Sequence, residues 1–222
     1  MLNYVLMAAL SYLVGSVPSG VMVGRIARST DIRERGSGNT GTTNAFRALG
    51  WRLGLLVALM DFAKGYVAVA LISTLAPFPA AIGSASASFV VATLASVLGH
   101  VKPIFAGFKG GKGFATAAGA ITAAFPLLAP FCLVIFLGAL TLTGFVAICA
   151  IVTSAALPIL YFLTSRVSQA GTDPVILGFF IVAFLLTALS VRRRLLEYLT
   201  GKAELFEKVM LFKPRRKETG QP

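Results

Sequence analysis

Residues 114–165 read FATAAGAITAAFPLLAPFCLVIFLGALTLTGFVAICAIVTSAALPILYFLTS, and this run of 52 residues contains no charged side chain. As a single helix it would extend roughly 78 Å, since an α-helix rises about 1.5 Å per residue. A bilayer core is about 30 Å thick and is crossed by about 20 apolar residues. The run therefore predicts two or three helices, with breaks at Pro126 and Pro130 and again at residues 141–144.

Uncharged runs also occupy residues 2–24, 65–101 and 174–191. The whole chain is 57% hydrophobic and only 13% charged, whereas a soluble domain carries about 25% charged residues. Four further spans are predicted, at residues 2–24, 53–75, 82–101 and 174–191, with a turn marked by Pro77 and Pro79. The predicted fold class is an all-α integral membrane protein.

The basic residues decide between two and three helices in the long run, because Lys and Arg concentrate in cytoplasmic loops. With three helices, 18 of them share one face. The prediction is about seven transmembrane helices with polar, glycine-rich cytoplasmic loops, the N-terminus outside and the C-terminus inside. It assigns a membrane domain to residues 1–194, with cytoplasmic loops at 25–52 and 101–113. Residues 195–222 are predicted to form a basic amphipathic tail helix on the inner leaflet.

Composition also excludes some functions. The net charge of +12 is expected of such loops, so we predict no nucleic-acid partner. The chain has one histidine, and its two cysteines, Cys132 and Cys149, lie inside apolar runs. These residues cannot form a zinc site, and we predict neither a metal nor a cofactor.

A glycine-rich segment between the first two spans is the first candidate site. Residues 36–44 read GSGNTGTTN, and Arg47 follows. Glycines let successive N–H groups converge on an anion, and arginine adds a bidentate fork for phosphate. A flexible polar linker is the alternative. The predicted catalytic residues here are Ser37, Asn39 and Arg47, and the predicted phosphate-binding residues are Gly36, Gly38, Gly41, Thr43 and Asn44.

The second candidate site follows the third predicted span. Residues 99–116 read GHVKPIFAGFKGGKGFAT, and Lys-Gly-Gly-Lys-Gly at the start of a helix places N–H groups and two ammonium groups together. It is not a Walker A loop, which has a different glycine spacing. A membrane-flanking basic loop is the alternative. The predicted catalytic residues here are His100 and Lys112, and the predicted phosphate-binding residues are Lys109, Gly110, Gly111 and Gly113.

Two charged residues lie within the second predicted span. Asp61 and Lys64 are three residues apart on one helix face, and intramembrane charges are costly unless they are paired. We expect them to pair with each other or to brace the polar loops. His100 ends the third span, where a hydrogen-bonding role is the alternative to catalysis.

These motifs resemble those of the bacterial acyl-phosphate-dependent glycerol-3-phosphate acyltransferase family. Its first motif, Gly-Ser-Gly-Asn-Pro-Gly-Ala-Thr-Asn followed by Arg, matches residues 36–47 except at Thr40 and Thr42, and its second matches residues 99–116 throughout. The resemblance implies a seven-span enzyme of the bacterial inner (plasma) membrane that acts in phospholipid synthesis. Such an enzyme transfers a fatty acyl group from acyl phosphate to the 1-hydroxyl of glycerol 3-phosphate. The implied partners are these two substrates and the bilayer, and no protein partner is indicated.

The resemblance weakens after the last span. There the family has His-x-Glu/Asp-Asn-Ile, where this chain has Val191, Arg192, Arg193, Arg194 and Leu195. Arg194 is predicted to supply charge to a phosphate, although an arginine cannot shuttle a proton at neutral pH. Two alternatives stay open: a diverged relative that binds phosphorylated lipid precursors with altered or no acyl transfer, and an anion carrier.

Overall fold

The computed structural model describes residues 2–74, 85–169, 171–201, 205–206 and 210–211. Within these ranges the chain is helical and has no strand, which confirms the predicted all-α class. Among the described residues, short 3-10 turns occupy Ile32–Glu34, Ile72–Thr74 and Ile104–Ala106. The helices are α1 Leu2–Gly15, α2 Ser19–Arg28, α3 Thr42–Leu49, α4 Trp51–Ala70, α5 Ala85–Val101, α6 Phe114–Ala124, α7 Leu128–Thr143, α8 Val146–Val167 and α9 Pro174–Leu199.

The long uncharged run forms three helices, α6, α7 and α8. The first break, at residues 125–127, contains Pro126, and the second, at residues 144–145, begins at Gly144 with a φ of +61°. Proline removes a helical hydrogen bond, and glycine readily adopts a positive φ. The breaks at Pro126 and Gly144 are therefore confirmed, whereas Pro130 and residues 141–143 belong to α7.

Five helical segments among the described residues are long and apolar enough to cross a membrane: Leu2–Arg28, Trp51–Ala70, Ala85–Ala106, Val146–Val167 and Pro174–Leu199. Helices α6 and α7 are apolar but shorter, with 11 and 16 residues. The number of spans thus stays a prediction. The predicted turn at Pro77 and Pro79 and the first residues of the third predicted span lie outside the described residues.

The first predicted span is not one continuous helix, since α1 ends at Gly15 and α2 begins at Ser19. Pro18 is the N-cap of α2 and has no N–H to continue the ladder of α1. The Val14 carbonyl, to which an N–H at residue 18 would bond, accepts the Val17 N–H at 3.3 Å instead. The predicted loop at residues 25–52 also differs, because it contains the last turn of α2 and the whole of α3.

The chain divides into two compact units, Met1–Ala129 with Thr172–Ile176, and Pro130–Gly171 with Leu177–Pro222. In the first unit, α1 crosses α5 and α4 crosses α6 at glycines. A Cβ on Gly15 or Gly99 would overlap backbone of the facing helix, and the same is true of Gly65 and Gly119. Small residues let helix backbones approach closely in membranes. These two crossings bring the glycine-rich segments to the same end of the unit.

In the second unit, the turn before α8 binds the described part of the tail. The Phe206 N–H donates to the Gly144 carbonyl, and the Leu211 N–H donates to the Thr141 carbonyl, both at 2.8 Å. Residues 205–206 and 210–211 are not helical, unlike the tail helix predicted for residues 195–222. The N–H groups of Phe206 and Leu211 bond to this turn instead of to a helical turn. Helix α9 continues to Leu199, and the rest of the tail lies outside the described residues.

Candidate active site

The first glycine-rich segment is organised by Asn44, which is 1% exposed. Its amide nitrogen donates to the carbonyls of Ile32, Arg35 and Asn39 at 2.8, 3.1 and 2.8 Å. Its amide oxygen accepts the N–H of Ser37 at 2.9 Å. The sequence had suggested that Asn44 binds phosphate. Because these bonds occupy both ends of its amide, we assign Asn44 to holding the loop instead.

Ser37, Asn39 and Gly36 lie on the outer part of this loop. The Asn39 amide is within 3.4 Å of the Ser37 hydroxyl, and both side chains are half-buried. Gly36 and Gly38 have φ values of +58° and +71°, which glycine adopts without strain. A Cβ on Gly36 would overlap the Asn44 amide oxygen. The glycines thus fix the backbone path of the loop that carries the Ser37 and Asn39 side chains.

Arg33 forms an ion pair within this loop and a hydrogen bond to the second loop. Arg33 donates to the Asp31 carboxylate at 2.7 and 3.0 Å and also to the Ala106 carbonyl at 3.2 Å. Arg25 adds a bond of 3.1 Å to Asp31. The hydrogen-bonded Arg33 guanidinium holds the pKa of the Asp31 carboxyl well below its usual range. Neither Asp31 nor Arg33 was among the predicted site residues.

The second loop folds back on the end of α5. The Gly111 N–H donates to the His100 carbonyl at 3.1 Å, and a Cβ on Gly110 would overlap that same carbonyl and Pro103. Gly113, with a φ of +78°, is the N-cap of α6 and packs against Val97. Each of these three predicted glycines occupies a position where a side chain would collide with its surroundings.

The two glycine-rich segments meet at Gly41 and Gly111. A Cβ on Gly111 would lie 3.1 Å from the Gly41 Cα and would overlap the Nε2 atom of His100. A Cβ on Gly41 would lie 3.5 Å from the same Nε2. The His100 ring therefore packs against both glycines, and its side chain is 5% exposed. We call this contact of Gly41, Gly111 and His100 the loop junction.

A buried charge network lies behind the loop junction. The Asp61 carboxylate accepts from Lys64 Nζ at 2.7 Å and from Thr42 Oγ1 at 3.0 Å, and it lies 3.6 Å from His100 Nδ1. The side chains of Asp61 and Lys64 are 1% and 7% exposed. This confirms the predicted pairing. Asp61 also holds the first loop through the Thr42 hydrogen bond, and the His100 ring at the end of α5 lies beside it. Thr42 was not among the predicted site residues. An intramembrane carboxylate needs several partners, so Asp61 itself indicated that a further polar group must contact it.

Both loops lead directly into helices. Gly41 is the N-cap of α3 and Gly113 is the N-cap of α6, and neither helix has a side-chain cap. Uncapped N–H groups at helix starts favour anions. Lys109 and Lys112 are exposed beside the second loop, and Arg47 is half-buried in the last turn of α3. Thr43 is the second residue of that helix.

We call residues 191–195, which follow the last predicted span, the third cluster, and they belong to the second unit. Val191, which the motif resemblance places opposite the family histidine, is 0% exposed. Arg194 pairs with Glu197 at 2.9 Å, one helical turn further along α9. Arg194 was predicted to contact phosphate, and that role stays a prediction. Among the described residues no group of three or more His, Cys, Asp and Glu could hold a metal ion.

Comparisons with known proteins agree with this arrangement. A family model described as glycerol-3-phosphate acyltransferase matches residues 5–200, which is most of the chain. The chain belongs to the glycerol-3-phosphate acyltransferase family. A relative of that name from Chlorobaculum parvum is 39% identical over 178 residues, covering 78% of this chain and 76% of the relative. Another, from Listeria monocytogenes, is 42% identical over 155 residues, covering 70% and 76%.

The structural comparison extends the family assignment to the fold. A crystal structure of PlsY (YgiH), an integral membrane glycerol 3-phosphate acyltransferase in its glycerol 3-phosphate form, superimposes with a TM-score of 0.76 at 33% identity. The alignment covers 91% of this chain and 95% of that one. The chain is therefore a multi-pass membrane protein of the acyltransferase family, as the sequence predicted.

Proposed function

We propose that this protein transfers a fatty acyl group from acyl phosphate to the 1-hydroxyl of glycerol 3-phosphate, in phospholipid synthesis. The loop junction is the observation that carries the proposal. It joins two glycine-rich segments, each leading into an uncapped helix start, at the contact between Gly41 and Gly111. A reaction with one phosphate on each substrate needs two neighbouring anion sites.

The chemistry follows from the donor. Acyl phosphate is already activated, so the glycerol hydroxyl oxygen attacks the acyl carbon directly. A carbon–oxygen ester bond forms, the bond from the acyl carbon to the phosphate oxygen breaks, and inorganic phosphate leaves with the hydroxyl proton. The products are lysophosphatidate and phosphate, and no acyl-enzyme forms. The protein must hold the phosphates and stabilise the developing oxyanion.

The position of each residue in the two loops suggests its role. Lys112, Arg47 and the N–H groups of both loops bind phosphate in this proposal, and Ser37 and Asn39 hydrogen-bond to substrate. His100 is a positioning residue, because its ring is buried between Gly41, Gly111 and the Asp61 carboxylate. The sequence had predicted a catalytic role for it.

The proposed location is the bacterial inner membrane, with both loops in the cytoplasm, the N-terminus outside and the C-terminus inside. The asymmetry of basic residues supports this orientation. It places Lys109 and Arg166, both exposed, on opposite faces. A cysteine introduced at Lys109 should react with a membrane-impermeant maleimide in inside-out vesicles only, and one at Arg166 in right-side-out vesicles only. The reverse labelling pattern would reject the orientation.

The specific alternative is a diverged family member that binds these lipid precursors with altered or no acyl transfer. The third cluster favours it, because Val191 is fully buried and Arg194 is paired with Glu197. Neither residue can replace a neutral histidine as a proton carrier.

One assay separates these functions. The purified protein in lipid nanodiscs is given palmitoyl phosphate and labelled glycerol 3-phosphate, and lysophosphatidate is measured. We expect product from the native chain and at least a tenfold loss in Lys112→Ala, since removing one preorganised electrostatic contact lowers kcat by about a hundredfold or more. No product above that control would reject the acyltransferase. Activity with palmitoyl-CoA instead of palmitoyl phosphate would reject the proposed donor.

A further inference from the structure

A groove of about 510 Å³ lies beside the turn between α3 and α4, in the first unit. Its volume falls in the range of small-molecule pockets, about 300–1,000 Å³. None of the residues proposed to bind substrate lines it. The lining residues are Ala27, Arg28, Leu49, Gly50, Trp51, Arg52 and Leu53.

The groove is positively charged. Arg28 and Arg52 are exposed on it, and no acidic residue is among those that line it. Among the described residues neither arginine has a carboxylate partner, whereas the nearby Arg25 is paired with Asp31 at 3.1 Å. The Arg52 guanidinium lies 5.4 Å from the centre of the Trp51 ring, within the range of a cation–π contact.

The position of the groove along the spans sets its depth. Arg28 is the last residue of one candidate membrane segment, and Trp51 is the first residue of the next. The groove therefore lies at the level where lipid headgroups meet the hydrocarbon. Tryptophan is enriched at this level, and Trp51 is 66% exposed. Ile26, which precedes the lining residue Ala27 in the chain, is 83% exposed. An exposed apolar surface beside the arginines can pack against the acyl chains of a lipid, which a soluble phosphate does not have.

We propose that this groove binds the headgroup of an anionic phospholipid from the surrounding bilayer. The planar guanidinium groups of Arg28 and Arg52 form charge-assisted hydrogen bonds to the phosphate diester. The start of the acyl chains packs on the Trp51 ring. Binding here is separate from acyl transfer and does not depend on the proposed reaction.

Trp51 is the single tryptophan of the chain, so its fluorescence reports on this groove alone. The full chain is reconstituted in phosphatidylcholine vesicles that contain a small, equal fraction of brominated phosphatidylglycerol or brominated phosphatidylcholine. Bromine quenches an indole that it touches. We expect stronger quenching by the anionic lipid, and we expect the preference to fall as salt screens the charges. Equal quenching by the two lipids would overturn the proposal.

The double variant Arg28→Gln/Arg52→Gln should lose the preference, by roughly fivefold in relative affinity for each arginine removed. Arg166→Gln is the matched control, because Arg166 also lies over an aromatic ring, 5.1 Å from the centre of Phe162. A preference retained in the double variant, or lost equally in the control, contradicts the proposal. Loss of the preference on adding glycerol 3-phosphate or inorganic phosphate at constant ionic strength would assign the groove to a soluble anion instead. Salt screening tests the native chain even if the double variant does not fold.

Discussion

Replacing Asp61 by asparagine perturbs the charge network behind the loop junction with little change in size. The native carboxylate accepts from Lys64 at 2.7 Å and from Thr42 at 3.0 Å, and it lies 3.6 Å from His100. An asparagine oxygen can still accept from Thr42. The substitution removes the negative charge and leaves the Lys64 ammonium beside a neutral amide.

The expected loss follows from burial. The side chains of Asp61 and Lys64 are 1% and 7% exposed, so water does not screen their interaction. Removing one partner of a buried ion pair lowers stability by about 3–5 kcal/mol, because the other charge stays buried and uncompensated. Folded proteins are stable by about 5–15 kcal/mol. Asp61→Asn should therefore remove a large part of the free energy of unfolding.

The assay is equilibrium unfolding by sodium dodecyl sulfate in dodecyl maltoside micelles, followed by circular dichroism. Lys64→Met and the double variant Asp61→Asn/Lys64→Met complete a thermodynamic cycle. The double variant carries no buried charge from this pair, and replacing a buried pair with neutral groups of similar volume is often nearly neutral. We expect it to be more stable than either single variant.

Two results would refute the reasoning. A loss of less than about 1 kcal/mol in Asp61→Asn would mean that Lys64 does not depend on this carboxylate. A double variant whose loss equals the sum of the two single losses would mean that the residues do not interact energetically.

Two further predictions concern the loops. Gly111→Ala should lower the rate of lysophosphatidate formation on the order of a hundredfold, because its Cβ would overlap the His100 ring. Gly41→Ala should change the rate little, because its Cβ would lie in ordinary contact, 3.5 Å from His100 Nε2. Equal losses in the two variants would contradict the loop junction. Arg33→Gln should weaken acid resistance. The lowered pKa of the Asp31 carboxyl contributes stability that is fully present above the ordinary aspartate pKa of about 3.9 and is lost as pH falls through the lowered pKa. Unfolding at pH 3 should therefore distinguish the variant from the native chain, and identical acid profiles would exclude the effect.

Much of the fold could be predicted from the sequence because membranes impose few, strong rules. The length of the uncharged run and its proline and glycine positions gave α6, α7 and α8 with both breaks. The break at Pro18 was missed, because hydropathy stays high through residues 2–24 and outweighs a single proline in a simple count of apolar residues. Proline breaks are common in membrane helices when neighbouring groups satisfy the freed backbone, as the Val17 N–H does here for the Val14 carbonyl.

The site could be predicted less completely, since a motif gives residue types without their partners. The sequence pattern named the glycines at 41, 110, 111 and 113, but it does not show that Gly111 packs on a histidine. Asn44 looked like a donor to substrate, yet its amide is used on four backbone groups of its own loop. Arg33 bridges to Ala106, 73 residues away, and no local pattern could indicate so distant a partner.

The altered third cluster constrains how the hydroxyl proton is handled. His100 is the only histidine in the chain, one of its ring nitrogens faces Asp61, and the other is covered by Gly41 and Gly111. Val191 has no proton to exchange, and arginine stays charged at neutral pH. A phosphate monoester has a second pKa of about 6, so the phosphate groups themselves can accept a proton at physiological pH. A phosphate acceptor therefore accounts for acyl transfer by a chain without the family histidine, and it makes the placement of the two phosphates the main task of the protein.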